Sequence, residues 1–328
     1  MEVVTRRIVI FAFDGVQPLD VAGPHEVFVG AAVALAAERR SGGYDVRVVS
    51  TGGGEVRSES GLRIGTDPAD ALEPGRIDTL LIPGGRGVDD AAADPDIITA
   101  VQQLTARSRR LVTVCTGAFV AAAAGLLGGR RVTTHWARGE RLRRLHPDLD
   151  VDVDPIYVCD GDVWSSAGVT AGIDVALALV EQDHGPDVAQ TVARWLVMFL
   201  RRPGGQSQFA TPVWTARAAP GPIRAAQEAI EADPAGDHRL DLLARNVGMS
   251  GRHFLRCFTE TVGTTPARYV AGVRVDAARR ALETTDDTVE VIARRCGFGT
   301  AETMRRTFTR RLGVSPDRYR SRFTTAPT

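Results

Sequence analysis

The sequence contains no lysine, so all 40 of its basic residues are arginines. It has only four cysteines, and none of them forms a C-x-x-C pair, which argues against a zinc site or a disulfide framework. No apolar run approaches the ~20 residues of a membrane span, and the N-terminus lacks the hydrophobic core of a signal peptide. These absences predict a cytoplasmic chain with reduced thiols, no metal, no cofactor and no membrane partner.

The net charge is zero overall but is unevenly distributed. Residues 222–328 contain 18 arginines and 13 acidic residues, whereas residues 1–221 contain 22 arginines and 27 acidic residues. A chain of 328 residues is long enough for two domains. We predict an N-terminal domain at 1–200, a linker at 201–221 that ends in prolines around Gly221, and a C-terminal domain at 222–325. The basic C-terminal part favours nucleic acid as its partner.

Short apolar runs alternate with helical segments over the first 200 residues. Such runs predict buried parallel strands, and the polar stretch 55–64 predicts a hairpin. The alternation predicts an α/β fold with a doubly wound, mostly parallel sheet. The strands are predicted at 7–13, 44–50, 78–83, 111–114, 131–134 and 156–159.

Polar residues of interest follow the ends of these strands, where open α/β sheets bind ligands. Cys115 lies at a strand-to-helix corner comparable to the nucleophile elbow of G-x-S-x-G enzymes. The positive end of the next helix is expected to lower the pKa of its thiol. Asp20 is a candidate hydrogen-bond partner of the sulfur and a candidate helix N-cap, and it could have both roles. The amides of Gly85 and Thr116 are candidates for an oxyanion-type anion site.

Three interpretations of Cys115 stay open. It is an inert residue of a tight turn, a part of a ligand pocket without turnover, or a catalytic nucleophile. His135 is the candidate base for acyl transfer, which would need to lie within hydrogen-bond reach of the sulfur. His135 and the adjacent Trp136 are also explained by packing alone.

Five motifs occur in order between residues 7 and 200: F-D-G-V-Q-P-L-D-V-A-G-P, P-G-G, V-C-T-G-A-F-V-A-A-A-A-G-L-L, T-T-H-W and S-S-A-G-V-T-A-G-I-D. They resemble the PfpI-type, class I glutamine-amidotransferase-like superfamily, in particular the branch with isocyanide hydratase and the N-terminal domains of GlxA-type regulators. The resemblance implies a flavodoxin-like fold, with Cys115 as the elbow cysteine, Asp20 as its acidic neighbour and Thr116 as a residue that helps to hold a ligand. PfpI proteases and amidases have a histidine where this chain has Thr116, so amidotransferase chemistry is not expected.

One pattern occurs twice in the C-terminal third, at 244–269 and 293–319. Each copy predicts a helix, a turn that begins at Gly248 or Gly297, and a second helix, which is the order of a helix-turn-helix unit. The second copy has one extra residue, in its turn. A helix of about 18 residues, roughly 27 Å long, connects the units. This length would bring the two second helices to successive major grooves, about 34 Å apart. Their buried stripes are predicted at Phe254 and Phe258 and at Met304 and Phe308.

Residues opposite these stripes are the predicted DNA contacts. Arginine suits guanine O6 and N7, Leu255 a thymine methyl group, and Glu302 the N4 amino group of cytosine. Ser250 and Thr300 lie near helix N-termini, where phosphate contacts are common. The predicted base-reading residues are Arg252, Leu255, Arg256, Glu302, Arg305 and Arg306.

Residues 222–323 resemble the AraC/XylS DNA-binding domain, above all in R-C-G-F, F-T-R-R-L-G and S-P-D-R-Y-R. Together the two resemblances imply an all-α domain with two helix-turn-helix units, in a GlxA-type transcriptional regulator that binds promoter DNA. They also imply that the N-terminal domain senses a small molecule, forms a homodimer, or does both. One alternative is a DNA-binding protein that retains cysteine-dependent hydratase- or amidase-type activity at Cys115. Another is a basic helical bundle that binds a protein.

Overall fold

The structure, a computed structural model, describes residues 5–73, 75–198, 200, 206 and 218–323. It divides into two compact units, Met1–Arg202 and Pro203–Thr328. The predicted linker at 201–221 falls almost wholly outside the described residues. The linker and the exact bounds of the two domains therefore stay predictions.

The strands of the N-terminal unit form one large sheet and one small pair. The sheet has eight strands in the order β3-β4-β2-β1-β5-β6-β10-β9. Its outer pairs β3–β4 and β9–β10 are antiparallel, and its inner neighbours are parallel. This confirms the predicted mostly parallel sheet. The strands are β1 (Thr5–Phe11), β2 (Gly43–Ser50), β3 (Gly54–Arg57), β4 (Arg63–Pro68), β5 (Ile77–Ile82), β6 (Ser108–Val114), β7 (Arg131–Val132), β8 (Asp150–Val151), β9 (Tyr157–Asp160) and β10 (Val163–Ser166).

Seven helices are described in this unit, and most of them connect strands. The helix α1 packs against β2 and against the two helices that end the unit. Within the described part of the chain, α1 is also long and apolar enough to span a membrane, but half of it is buried in the core, as in core helices of soluble proteins. The helices are α1 (Pro18–Ala37), α2 (Val88–Ala93), α3 (Pro95–Ala106), α4 (Gly117–Ala123), α5 (Gly139–Leu145), α6 (Ala171–His184) and α7 (Pro186–Trp195).

The central strands are buried along most of their length, which explains their continuous apolar sequences. All six residues of β5 are buried, as are residues 8–11 of β1. A half-exposed strand would instead alternate between apolar and polar residues. The apolar runs of the sequence therefore identify the middle of the sheet.

Two strand predictions need correction. Residues 131–134 were predicted as one strand, but β7 ends at Val132 and pairs with β8 outside the large sheet. The strand β10, a fully buried strand of four residues that pairs with β6, is absent from the predicted strands. Its signal is the Asp-Gly turn at Gly161, which has a positive φ of 64° and connects β9 to β10 as a hairpin.

Buried ion pairs lie at the N-terminal ends of β1, β5 and β6. The Arg110 guanidinium is almost fully buried and contacts Asp183 through both terminal nitrogens. Arg109 binds Asp78 with two hydrogen bonds of 2.9 and 3.0 Å. The hydroxyl of Tyr44 donates to Asp183 at 2.9 Å. Because charges and hydrogen bonds are both satisfied, this network ties α6 to the sheet.

The C-terminal unit is helical in its described part and has two cores. The first core is formed by α8 to α10 with the N-terminal half of α11, and the second by the rest of α11 with α12 to α14. We call these halves the first and second lobes. The helices are α8 (Pro222–Ala232), α9 (Leu240–Asn246), α10 (Gly251–Val262), α11 (Pro266–Thr284), α12 (Val289–Arg295), α13 (Ala301–Leu312) and α14 (Pro316–Phe323).

The two lobes repeat the same contacts, as the sequence repeat predicts. Phe258 packs edge-on against Tyr269 with ring centroids 5.4 Å apart, and Phe308 packs in the same way against Tyr319, also at 5.4 Å. Both predicted buried stripes are fully buried. Both second helices end at a glycine in the left-handed region. The extra residue of the second copy lies in the turn, which runs from 296 to 300 in place of 247 to 250.

Candidate functional site

Cys115 occupies a strained corner between β6 and α4. Its φ is +56°, a left-handed conformation that residues other than glycine rarely adopt. Its amide donates to the carbonyl oxygens of Ser166 and Ala167, both at 3.1 Å, and its own carbonyl accepts from Thr134 Oγ1 at 2.7 Å. These hydrogen bonds hold the strained conformation in place. The predicted elbow is therefore present.

The loop after β5 approaches this corner too closely for a side chain. A Cβ atom at Gly84 would lie 2.5 Å from the amide nitrogen of Thr116 and 2.9 Å from Cβ of Cys115. One at Gly117 would lie 2.1 Å from the carbonyl oxygen of Ile82. The glycines of the P-G-G and C-T-G motifs thus allow two backbone segments to meet at the site.

Asp20 lies in the first turn of α1 and is fully buried. The N-cap of α1 is Gln17, whose side chain accepts from the amide of Leu19 at 3.2 Å, so Asp20 is not the N-cap. Its Oδ2 accepts from the amide of Gly84 at 2.9 Å. Its buried Oδ1 has no hydrogen-bond partner within the described residues. Among the described residues, the only side chain that stabilises the ionised carboxyl group by a hydrogen bond is the Cys115 thiol, a weak donor.

The expectation of a low thiol pKa is wrong for this geometry. Burial, followed by the nearby charge of Asp20, raises the pKa of Cys115 to about 12. The amides of Val169 and Thr116 act in the opposite direction but are weaker. Burial, with a smaller contribution from Glu59, also raises the pKa of Asp20 to about 7, although the Gly84 amide and the Cys115 thiol oppose it. Desolvation thus outweighs the helix end, and Cys115 is a neutral thiol at neutral pH.

Gly85 and Thr116 are hydrogen-bonded to each other. The Gly85 amide donates to Thr116 Oγ1 at 3.0 Å, and that hydroxyl lies 3.3 Å from the Gly85 carbonyl oxygen. The Gly85 amide is therefore engaged by Thr116, and the anion site at the Gly85 and Thr116 amides stays a prediction. Thr116 is placed at the site, as the sequence predicts, but its hydroxyl holds the glycine loop.

His135 does not form a dyad with the cysteine. Its Nδ1 accepts from the amide of Ala137 at 3.2 Å, and its ring lies against Gly168, where a Cβ atom would be 2.1 Å from Cδ2. Among the contacts of the described residues, no hydrogen bond connects it to Cys115. Burial and the charge of Arg138 lower the pKa of the imidazole. These contacts favour the packing interpretation of His135.

The second helix of the first lobe, α10, exposes the predicted residues. Arg252, Leu255 and Arg256 lie on the side opposite its two buried phenylalanines. The Arg256 guanidinium lies 3.3 Å from Nδ1 of His253 and 3.7 Å from Glu260. The sequence analysis missed His253 and Glu260, whose exposed positions one turn from Arg256 could have been found from helix periodicity.

The equivalent helix of the second lobe, α13, presents different chemistry. Glu302 and Arg306 are exposed, whereas Arg305 is half-buried and pairs with Glu290 of α12 at 3.2 Å. Thr300 caps α13 by accepting from the amide of Thr303 at 3.2 Å. Ser250 caps α10 by accepting from the amide of His253 at 3.4 Å. Both caps therefore stand at helix N-termini, as expected.

Comparison with known proteins places the chain in a family. Residues 6–182 match the DJ-1/PfpI family, and residues 243–322 match a helix-turn-helix domain. The chain therefore belongs to the DJ-1/PfpI family and carries a DNA-binding domain in addition. An HTH-type transcriptional regulator of Mycobacterium tuberculosis is 39% identical over 271 residues, which cover 75% of this chain and 96% of that protein. The protein is thus a DNA-binding transcriptional regulator with a PfpI-like N-terminal domain.

Further relatives are similar to the whole chain or to its N-terminal unit. The HTH-type transcriptional regulator GlxA of Rhizobium meliloti is 29% identical, over 85% of this chain and 86% of that protein, which confirms the predicted GlxA-type resemblance. The isonitrile hydratase of Pseudomonas putida is 34% identical, over 57% of this chain and 75% of the enzyme. The crystal structure of a ThiJ/PfpI family protein from Pseudomonas syringae is 25% identical with a TM-score of 0.54, over 70% of this chain and 87% of that one.

Proposed function

We propose that the protein reads promoter DNA with α10 and α13 and that its N-terminal domain binds a small effector at Asp20 and Cys115 without turning it over. The effector proposal is supported by the Oδ1 atom of Asp20, which is buried beside the thiol and makes no hydrogen bond to a nitrogen or oxygen atom of the described residues. A buried acceptor without a hydrogen bond is costly, and a ligand that donates one would offset that cost. The effector is therefore a small molecule with a hydrogen-bond donor, such as an amide or an amine.

Several observations speak against turnover. The thiol of Cys115 is neutral, no histidine is bonded to it within the described residues, and the Gly85 amide is occupied. Acyl transfer needs a thiolate or a base beside the thiol and free donors for the oxyanion. These features support a binding site rather than an amidase.

The effector site is tested by thermal shift of the full chain with a panel of small amides and amines. We expect at least one compound to raise the melting temperature of the wild type. Asp20→Ala should abolish that shift. The control Asp90→Ala, an exposed carboxyl on α2, should keep it. Equal shifts in wild type and Asp20→Ala would remove Asp20 from the site.

A second candidate function is hydratase-type activity at the same residues. It is favoured by the pKa of Asp20, about 7, which suits a proton donor and acceptor beside Cys115. The similarity to an isonitrile hydratase supports it as well. Incubation with an alkyl isonitrile, and detection of the N-alkylformamide that forms when water is added to it, decide between the candidates. Product that depends on both Asp20 and Cys115 would make the protein an enzyme as well as a regulator.

The DNA contacts are tested by titration of a selected operator at fixed salt. We expect Arg256→Ala to weaken binding by about 1–3 kcal/mol and to relax the preference at one base position. Arg318→Ala, on the exposed side of α14, is the control for the loss of one positive charge. Unchanged affinity of Arg256→Ala for the operator would exclude Arg256 as a reading residue.

We further propose that the N-terminal domain forms a homodimer through α1 and α7, in a protein that works in the cytoplasm. Trp195 lies against Gly30 of α1 yet is 67% exposed, and Val33, one turn along α1, is 51% exposed. Two copies of this apolar surface, related by a twofold axis, would cover each other. Trp195→Glu should shift the chain from dimer to monomer in sedimentation equilibrium. A monomeric wild type would refute this interface.

A further inference from the structure

The two lobes of the C-terminal unit share α11, but they also contact each other away from their cores. Tyr269 and Val270 of α11 belong to the first core, whereas Val275 and Leu282 belong to the second. A helix shared in this way fixes the distance between the lobes but allows them to bend or twist. Additional contacts across it decide whether the two reading helices keep one relative orientation.

Arg274 positions the loop of the first lobe that takes part in the first of these contacts. It projects from the middle of α11 and binds the loop between α8 and α9, which belongs to the first lobe. Its Nε donates to the carbonyl oxygen of Pro234 at 2.9 Å, and its Nη2 donates to that of Gly236 at 3.1 Å. The guanidinium thus binds two backbone acceptors with a fixed fork geometry.

Gly297, the turn glycine of the second lobe, touches the same loop. A Cβ atom at Gly297 would lie 2.6 Å from the carbonyl oxygen of Pro234 and 2.8 Å from Nε of Arg274. Gly248, its equivalent in the first lobe, has a similar φ of +70° against +80° but has nothing within 4 Å of a Cβ atom. The second turn glycine therefore meets the first lobe, while its counterpart faces open space.

Arg311 makes a second contact from the opposite side of α11. It lies at the end of α13, and its Nη2 donates to the carbonyl oxygen of Arg268, at the start of α11. Its guanidinium passes over Gly272, where a Cβ atom would lie 3.4 Å from Nη1. Positions 272 and 274 differ by two residues, or about 200° around the helix, so the two contacts bracket α11.

We infer that Arg274 and Gly297 on one side of α11, and Arg311 on the other, clamp the two lobes into one rigid reader with a fixed spacing between its half-sites. The inference rests on the proposed reading of DNA by both α10 and α13. These residues are positioning residues, since they act through the orientation of the two helices. Without the clamp, each lobe still recognises its own half-site, but the distance between half-sites is less strictly defined.

The test is selection of binding sites from random duplex DNA by the full-length wild type and by variants. For the wild type we expect two enriched segments at a single spacing. Insertion of one base pair between them should weaken binding roughly a hundredfold, because one lobe loses its half-site. For Arg274→Ala we expect the same segments at several spacings and a penalty for the insertion below about tenfold.

Gly297→Ala and Gly248→Ala form a matched pair for the same test. Both add a methyl group at a positive φ and carry similar backbone strain. Only Gly297→Ala displaces the loop at Pro234, so only it should broaden the spacing. Melting curves identify the variants that remain folded, and these are compared.

The outcomes separate the clamp from the reading function. Folded Arg274→Ala and Gly297→Ala proteins that keep the single wild-type spacing and penalty would overturn the clamp. A single enriched segment for the wild type would overturn the proposed reading by both helices, and the clamp with it. No enriched sequence for any protein would overturn the proposed base reading instead.

Discussion

The carboxyl group of Asp20 gives the N-terminal unit a distinctive pH dependence. Its pKa in the folded protein is about 7, above the ordinary value of 3.8. Between these values the unfolded chain has lost a proton that the folded chain keeps, so this group makes stability fall as pH rises, until the fall ends above pH 7. In the wild type we expect this group to lower the free energy of unfolding by roughly 3–4 kcal/mol between pH 4 and pH 8, and we expect Asp20→Asn to lack this decrease. Urea unfolding across this range measures it. The same pH profile in both proteins would contradict the assignment.

The thiol of Cys115 should be slow to react. Its pKa is about 12, so its alkylation rate should keep rising through pH 10 without a plateau. Asp20→Asn removes a negative neighbour and should increase the rate at pH 8. Iodoacetamide labelling is measured in a Cys159→Ser, Cys257→Ser background, because Cys159 is exposed and Cys257 is half-buried. A plateau near pH 7 would instead indicate an activated thiolate.

For single residues, the position of the site could be predicted from the sequence, but its chemistry could not. Motif order and strand ends brought Asp20, Cys115 and Thr116 to one place, and the structure contains that cluster. The predicted direction of the shift in the thiol pKa was wrong. A helix end can be recognised in a sequence, but the depth of burial cannot. The use of the Gly85 amide by Thr116 depends on backbone contacts that no motif contains.

Among the elements, α10 contributes a fully buried stripe to the core of the first lobe. Phe258 is fully buried, while Leu255 on the opposite side of the helix is 37% exposed. We expect Phe258→Ala to lower the free energy of unfolding by about 3–5 kcal/mol, because it leaves a cavity. Leu255→Ala should cost less than about 1 kcal/mol. Denaturant unfolding followed by circular dichroism compares the two. Equal costs would mean that the stripe is misassigned.

Elements with long periodic or apolar sequences were predicted best. The paired helices of both lobes and the middle strands of the sheet follow from periodicity alone. Short elements were predicted less well. The strand β7 has two residues and β10 has four, too few for a pattern to be distinguished from a loop. The clamp at Arg274 was also missed, because its partners are carbonyl groups, which every residue has.

For the whole molecule, the two compact units predict modular behaviour. Cys115 lies in the core of Met1–Arg202, and the reading helices lie in Pro203–Thr328. We expect Cys115→Ala to leave the DNA affinity of the effector-free protein within about twofold, since Cys115 and the reading helices belong to different compact units. Fluorescence anisotropy with an operator duplex at fixed salt measures it. Complete loss of binding by a folded variant would show that the units are coupled.

The class of the protein was predictable because two sets of motifs each cover a whole unit. Both family assignments agree with the comparisons. The effector, the operator and the partner surface were not predictable to the same degree. They depend on which buried polar atoms lack hydrogen-bond partners and on which apolar side chains stay exposed. Both are properties of the packed chain.

The buried ion pairs at the N-terminal ends of the central strands have a practical consequence. Burial alone would raise the pKa of Asp78, but the hydrogen bonds from Arg109 and the charge of Arg110 hold it below its ordinary value. Asp20, near the C-terminal ends of these strands, gains or loses its proton near pH 7. A change from pH 8 to pH 6 thus protonates the site without releasing these ion pairs. A sample at pH 6 would contain mainly the protonated carboxyl group, and a sample at pH 8 mainly the ionised one. The two charge states could then be compared in the same fold, with pH alone selecting between them.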